Sequence, residues 1–131
     1  MPDQDEKPTA LVVDDDPDFR SVVATILTSI GFKVVGETSD GNEALTIYAQ
    51  NKPSITFLDI HMPDGMDGVD VLRSIMADDA NAIVVMLTGV KNMYVYDDCV
   101  NFGAKGFVDK GKEAEALQHD IHALTYKLLS A

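Results

Sequence analysis

The chain has 131 residues, of which 46% are apolar, and a formal net charge of −12. This length and composition predict one domain with a substantial apolar core and no second domain. The acidic excess disfavours nucleic acid as a partner, because phosphate backbones bind basic surfaces. The single cysteine, Cys99, excludes an internal disulfide, and no apolar stretch is long enough to span a membrane. We expect a cytoplasmic protein with a polar tail over residues 1–8 and one domain over residues 9–131.

Short apolar segments alternate along the chain with segments of helical periodicity. Five strand-like segments, rich in Val, Ile and Phe, lie near residues 10–14, 33–37, 54–59, 82–87 and 105–109. They contain few charges, which is typical of strands buried on both faces of a parallel sheet. Five helices are predicted between and after them: Pro17 to Ile30, Asp40 to Asn51, Asp67 to Asp78, about Lys91 to Phe102, and Glu113 to Leu129. This alternation predicts a doubly wound α/β sandwich of three layers.

Local signals refine two of these helices. The first places six apolar residues on one face, namely Phe19, Val22, Val23, Ile26, Leu27 and Ile30. Asp16 precedes Pro17, so we expect Asp16 to cap this helix rather than to bind a ligand. Asp67 before Gly68 is likewise predicted to be an N-cap.

Polar side chains follow four of the predicted strands. Asp14 and Asp15 follow the first strand, Asp59 ends the third, Thr88 follows the fourth and Lys110 follows the fifth. In an open parallel sheet, ligands bind in the crevice outside the carboxyl ends of the strands. We therefore expect three carboxylates, a hydroxyl and an ammonium group to converge on one site.

Carboxylates from different loops form the oxygen-only pocket that Mg²⁺ prefers, with waters completing its shell. A bound cation would offset the repulsion among the acids and leave room for a phosphoryl group. Lys110 and Thr88 could each contact one phosphoryl oxygen. An aspartate can itself accept the group as an acyl phosphate.

Four motifs in this order resemble the receiver domain of two-component response regulators, over Ala10 to Leu129. They are Leu11-Val12-Val13-Asp14-Asp15-Asp16, Leu58-Asp59-Ile60-His61-Met62-Pro63 with Met66-Asp67-Gly68, Met86-Leu87-Thr88-Gly89, and Gly103 through Phe107 to Lys110. The resemblance implies a flavodoxin-like (βα)5 fold with a five-stranded parallel sheet in the order 2-1-3-4-5. It also implies a stand-alone regulator similar to the chemotaxis regulators.

By this resemblance Asp59 accepts a phosphoryl group from a histidine kinase or a histidine phosphotransfer protein. Asp15, Asp59 and the backbone carbonyl of His61 would bind Mg²⁺, and Asp14 would help through water. Asp59 would act together with Thr88 and Lys110 in phosphoryl chemistry.

The resemblance further makes Thr88 and Phe107 the switch residues. They would report phosphorylation to the face built from the fourth helix, the fifth strand and the fifth helix. That face would bind an unknown downstream protein, or pair two copies weakly if the protein is not a monomer.

The sequence departs from the family pattern at three places. Gly111 follows Lys110 where the family usually has proline after a cis peptide, so we expect a trans Lys110–Gly111 peptide. The loop between Pro63 and Asp67 is longer by one residue, and Phe107 stands where a tyrosine could donate a hydrogen bond.

Three other functions remain open from the sequence. A Mg²⁺-dependent aspartyl phosphohydrolase typically has a second aspartate two residues after the nucleophile, but His61 stands there. A degenerate receiver that does not use phosphate is disfavoured by the complete set of site residues. A flavin or nucleotide carrier is disfavoured because no glycine-rich phosphate loop follows any strand.

Overall fold

The computed structural model describes residues 7–62, 66–89 and 93–130. Five strands and five helices alternate along these residues. The strands are β1 (Thr9–Val13), β2 (Lys33–Thr38), β3 (Ile55–Asp59), β4 (Val84–Thr88) and β5 (Gly106–Asp109). The helices are α1 (Pro17–Ser29), α2 (Gly41–Asn51), α3 (Gly68–Asp78), α4 (Met93–Asn101) and α5 (Ala114–Leu129). The predicted bounds differ by one or two residues at most ends, and Val90 to Asn92 lie outside the described residues.

The strands form one parallel sheet in the order β2-β1-β3-β4-β5. The expected α/β fold and its strand order are therefore confirmed. Because β3 lies between β1 and β4, the ends of these three strands are neighbours at one edge of the sheet.

Two apolar layers cover the two faces of the sheet, since alternate residues of each strand point to opposite faces. One layer joins Leu11, Val13, Leu58 and Met86 to side chains of α2, α3 and α4. The other joins Val12, Phe57, Val85 and Leu87 to side chains of α1 and α5. All eight are fully buried, so the sheet is the middle layer of the predicted three-layer sandwich.

The predicted helix signals agree with the structure at both expected caps. The Asp16 carboxylate accepts hydrogen bonds from the backbone N–H groups of Asp18 and Phe19, and Asp67 accepts one from Asp70. The apolar face of α1 is narrower than predicted, because Val22 is 40% exposed, whereas Val23, Ile26 and Leu27 are buried. Burial on both faces also fails for β2, an edge strand whose first five residues are exposed or partly exposed.

Exposed apolar side chains on α4 explain why its apolar pattern in the sequence is irregular. Large apolar side chains on or beside α4 are exposed: Tyr94, Tyr96, Val100 and Phe102. Cys99 is fully buried in the core. Among the helices that the structure describes, none has the length and apolarity required to cross a membrane.

Candidate functional site

The predicted site residues do converge at the carboxyl edge of the sheet. Val13 pairs with Leu58 in the β1–β3 ladder, so the next residue of each strand brings Asp14 level with Asp59. Carboxylate oxygens of Asp14, Asp15 and Asp59 all lie within 4.8 Å of one another. Asp14 and Asp59 are buried, whereas Asp15 is exposed. The cluster therefore has two buried acids and one acid that opens to solvent.

Lys110 reaches the cluster from the end of β5. Its Nζ donates a hydrogen bond to Asp14 Oδ1 at 3.0 Å and lies 2.8 Å from Asp14 Oδ2. The contact with Oδ2 is an ion pair without the alignment of a hydrogen bond. The same ammonium lies 3.5 Å from Asp59 Oδ2. Lys110 therefore bridges the two buried carboxylates. The sequence predicted only a contact between Lys110 and a phosphoryl oxygen.

The charge balance at this site is unfavourable for Asp59. Burial, hydrogen bonding with the Asp15 carboxyl group and the charge of Asp14 raise the pKa of Asp59 from 3.8 to about 7. Lys110 and the backbone N–H of His61, which donates to Asp59 Oδ1 at 3.3 Å, lower the pKa in part. One ammonium thus does not fully compensate three clustered acids.

The same charges that disfavour ionised Asp59 favour the charged form of Lys110. Burial lowers the pKa of Lys110, but hydrogen bonds and charge from Asp14 and Asp59 outweigh burial, and the net shift is upward. Its charge is therefore a fixed feature of the site at neutral pH.

The loop that carries Lys110 is held without proline. The Lys110 N–H donates to the Thr88 carbonyl at 2.9 Å. The Gly111 N–H, which proline would lack, donates to Asp109 Oδ1 at 2.8 Å. No cis peptide occurs in the described segments, so the Lys110–Gly111 bond is trans, as predicted.

The two predicted switch residues, Thr88 and Phe107, lie on β4 and β5. Thr88 is the last residue of β4 and pairs with Asp109 of β5. Phe107 is partly buried against the core layer beneath α4. Its ring stacks on Tyr96 of α4, with 3.9 Å between the ring centroids. The structure therefore links the predicted switch position to α4 by direct ring contact.

Two site neighbours were not predicted from the sequence. Arg20 of α1 donates from Nη1 to the Asp14 carbonyl at 2.7 Å. Phe19 of α1 presents its ring to Lys110, with Nζ 5.0 Å from the ring centroid. Both residues follow the acidic cluster, but helical periodicity identified Phe19 only as a core residue. The predicted lengthening of the loop before Asp67 falls on Pro63, Asp64 and Gly65, which lie outside the described residues.

The fold and the site together define a class of protein: a doubly wound α/β domain with an acidic, lysine-containing site at the strand ends. The model of the response regulator receiver domain matches residues 10–122. The chain belongs to this family, which serves two-component signalling and is not a family of conventional enzymes.

Individual relatives include chemotaxis proteins. The chain is 35% identical to chemotaxis protein CheY of Thermotoga maritima over 100 residues, which are 76% of this chain and 82% of that protein. It is 38% identical to CheY of Listeria monocytogenes over 105 residues, covering 80% of this chain and 87% of the relative.

A similar solved structure is CheY of Borrelia burgdorferi in its complex with CheX, BeF₃ and Mg²⁺. The TM-score is 0.81 at 32% identity, covering 89% of this chain and 88% of that one. The receiver domain of NtrX from Brucella abortus gives a TM-score of 0.81 at 30% identity, covering 93% of this chain and 99% of that domain.

Proposed function

We propose that residues 9–131 form a cytoplasmic receiver that accepts a phosphoryl group on Asp59 from a histidine kinase or a histidine phosphotransfer protein. The observation that carries the proposal is the bridge made by Lys110 between Asp14 and Asp59, within a cluster of three carboxylates. Two buried acids and one ammonium can accommodate a dianionic phosphoryl group only when a cation helps to neutralise the charge.

Asp59 is the nucleophile in this proposal. Its carboxylate ends β3 and is kept in position by the His61 N–H on one oxygen and by Lys110 near the other. A carboxylate that attacks phosphorus forms an acyl phosphate, and the bond to the donor breaks in the same transfer. Because attack requires the ionised form, a pKa of about 7 makes the metal-free carboxylate a better nucleophile above pH 7 than below it.

The acidic cluster fits Mg²⁺ in its donor chemistry. Asp14, Asp15 and Asp59 supply only oxygen, the donor atom that this cation prefers. The backbone carbonyl of His61 is the further ligand in the proposal. When bound, Mg²⁺ would neutralise charge on the carboxylates and on the transferred phosphoryl group. The raised pKa of Asp59 supports this, because after burial its causes are the Asp15 hydrogen bond and the charge of Asp14, and a cation would relieve that repulsion.

Lys110 and Thr88 complete the phosphoryl site. Phosphoryl transfer depends mainly on positioning and charge neutralisation, which an ammonium and a hydroxyl can provide without covalent chemistry. Lys110 would exchange part of its contact with Asp14 and Asp59 for a phosphoryl oxygen. Thr88 would donate its hydroxyl to another oxygen.

Movement of Thr88 toward the phosphoryl group would change the packing of Phe107, and with it the α4–β5–α5 face. The stacking of Tyr96 on Phe107 supports this path, because a shift of either ring changes the surface of α4. We expect this face to bind a downstream protein in a phosphorylation-dependent way, or to pair two copies weakly. Sedimentation with and without beryllofluoride tests whether the domain remains a monomer.

Labelling with acetyl phosphate tests the phosphoacceptor. The protein is incubated with Mg²⁺ and acetyl phosphate, and intact mass spectrometry measures the added phosphoryl mass. We expect one phosphoryl group on the parent and none on Asp59→Asn. Asp16→Asn is the matched control, because asparagine also caps a helix and the acid lies beside the site. Equal labelling of the parent and Asp59→Asn would remove the assignment.

A further inference from the structure

Phe19 lies at the third position of α1, and a chain of hydrogen bonds sets its backbone. The Asp14 carboxylate accepts the N–H of Asp16 at 2.9 Å. The Asp16 carboxylate in turn accepts the N–H groups of Asp18 and Phe19, at 3.0 and 3.4 Å. The first turn of α1 is therefore oriented by the same carboxylate that pairs with Lys110.

The ring of Phe19 connects this series of hydrogen bonds back to Lys110. Lys110 Nζ lies over the ring, 5.0 Å from its centroid, within the range at which an ammonium is attracted to an aromatic face. The Lys110 side chain is only 18% exposed, so water screens this attraction less than at an open surface. These contacts connect four residues in a closed set, in which each helps to position the next: Asp14, Asp16, Phe19 and Lys110.

Lys110 pairs closely with Asp14, at 2.8 to 3.0 Å, but its approach to Asp59 is looser. The contact to Asp59 is long, at 3.5 Å, and the lysine stem has four carbons with several accessible rotamers. The Gly111 bond to Asp109 fixes only the backbone after Lys110. When a phosphoryl group occupies Asp59, the ammonium must remain beside that residue, and the ring of Phe19 is a further contact that can hold it there.

We propose that Phe19 is a positioning residue for phosphoryl transfer, acting by holding the Lys110 ammonium over its ring beside Asp14 and Asp59. This proposal rests on the proposed function for its kinetic consequence but not for the geometry itself. In the transfer, the donor oxygen–phosphorus bond breaks as the Asp59 oxygen–phosphorus bond forms, and acetate leaves acetyl phosphate with the bonding electrons. Lys110 neutralises phosphoryl oxygens during that exchange, so its position affects the transfer rate more than donor affinity.

Substitution of the ring separates positioning from packing. Phe19 also packs against the core layer under α1, so Phe19→Leu keeps an apolar side chain while removing the aromatic face. Initial rates over a range of acetyl phosphate concentrations give the rate constant at saturation and KM. We expect Phe19→Leu to lower that rate constant by about three- to tenfold with little change in KM. Phe19→Tyr keeps the ring face and should stay within about twofold of the parent.

One further variant controls for the loss of core packing, and another tests the charge distribution of the ring. Phe32→Leu removes a buried ring from the same apolar layer, and we expect its rate constant to match that of the parent. Pentafluorophenylalanine at position 19 keeps the shape of the ring but reverses its charge distribution, so its rate constant should fall as in Phe19→Leu. A fall in Phe19→Tyr equal to that in Phe19→Leu, or no fall in either Phe19→Leu or the fluorinated variant, would overturn the proposal.

A spectroscopic measurement tests the geometry without any phosphoryl transfer. The ring current of Phe19 should move the ε-methylene protons of Lys110 upfield of those of Lys112, which pairs with Asp120 on the surface. Phe19→Leu should abolish the upfield shift, and an unchanged Lys110 resonance would overturn the proposal. If the parent itself is not labelled on Asp59, the proposed function fails while this resonance still decides the position of Lys110.

Discussion

Replacing Asp59 by asparagine should stabilise the fold at pH 8, although it abolishes the proposed phosphoacceptor. The pKa of Asp59 is raised from 3.8 to about 7, first by burial and then by Asp15 and Asp14. The ionised carboxylate is therefore less favourable in the folded domain than in the unfolded chain. An amide of the same shape removes that charge.

The size of the effect follows from the pKa shift. About 3 pKa units at 1.36 kcal/mol each give a ceiling of about 4 kcal/mol on the destabilisation by ionised Asp59. The neighbouring acids relax when one charge is lost, and Lys110 loses one of its two carboxylate partners. We therefore expect Asp59→Asn to raise the free energy of unfolding by about 2 kcal/mol at pH 8.

The sign of the pH dependence is opposite to that of a salt-bridged carboxylate with a lowered pKa. Because the folded domain binds the Asp59 proton more tightly than the unfolded chain, raising the pH through the window from about 4 to about 7 reduces the stability of the parent. Asp59→Asn lacks this titration. The advantage of the variant should be small near pH 4 and largest at pH 8.

Urea unfolding followed by circular dichroism, in EDTA at pH 4.5, 6, 7 and 8, measures the difference. EDTA removes divalent cations that would neutralise the acids. Asp97→Asn is the matched control, because it changes the net charge equally at an exposed position of α4, and its effect should stay within about 0.5 kcal/mol. A difference between the parent and Asp59→Asn that is absent at pH 8, or constant over the whole range, would refute the electrostatic reasoning.

Three further predictions concern the metal, the switch and the glycine that begins α3. Asp15→Ala should weaken Mg²⁺ binding in calorimetric titration more than Asp16→Ala, because Asp16 caps α1 and lies outside the carboxylate cluster. Thr88→Ala should still be labelled by acetyl phosphate, yet beryllofluoride should no longer shift the amide resonances of α4 and β5. Gly68→Ala should cost about 3 kcal/mol or more in urea unfolding, because a Cβ there would overlap the carbonyl oxygen of Asp59.

Each of these has an outcome that contradicts it. Weaker Mg²⁺ binding in Asp16→Ala than in Asp15→Ala would move the ligand role to Asp16. Resonance changes in α4 that survive Thr88→Ala would exclude the hydroxyl as the coupling group. Gly89→Ala is the control for the glycine, since a Cβ there meets nothing within 4 Å; equal losses at both positions would rule out the overlap as the cause.

Much of the site was predictable because its signals are local. Polar residues follow four of the five apolar strand segments, and parallel strands with intervening helices bring their carboxyl ends to one edge. This placed Asp14, Asp59, Thr88 and Lys110 together without any knowledge of their contacts. The cap at Asp16 was likewise evident, because a cap depends on residues at most three positions away.

The pairing of these groups was decided by the tertiary structure. Lys110 contacts Asp14 across 96 positions of the chain, and its place over the ring of Phe19 depends on how α1 docks on the sheet. Periodicity identifies an apolar face but not its width, and the structure leaves Val22 exposed. The sequence thus determined which groups reach the edge of the sheet, whereas the packing of helices on that sheet determined which of them touch, because long-range distances are set by strand order and helix docking rather than by local residue preference.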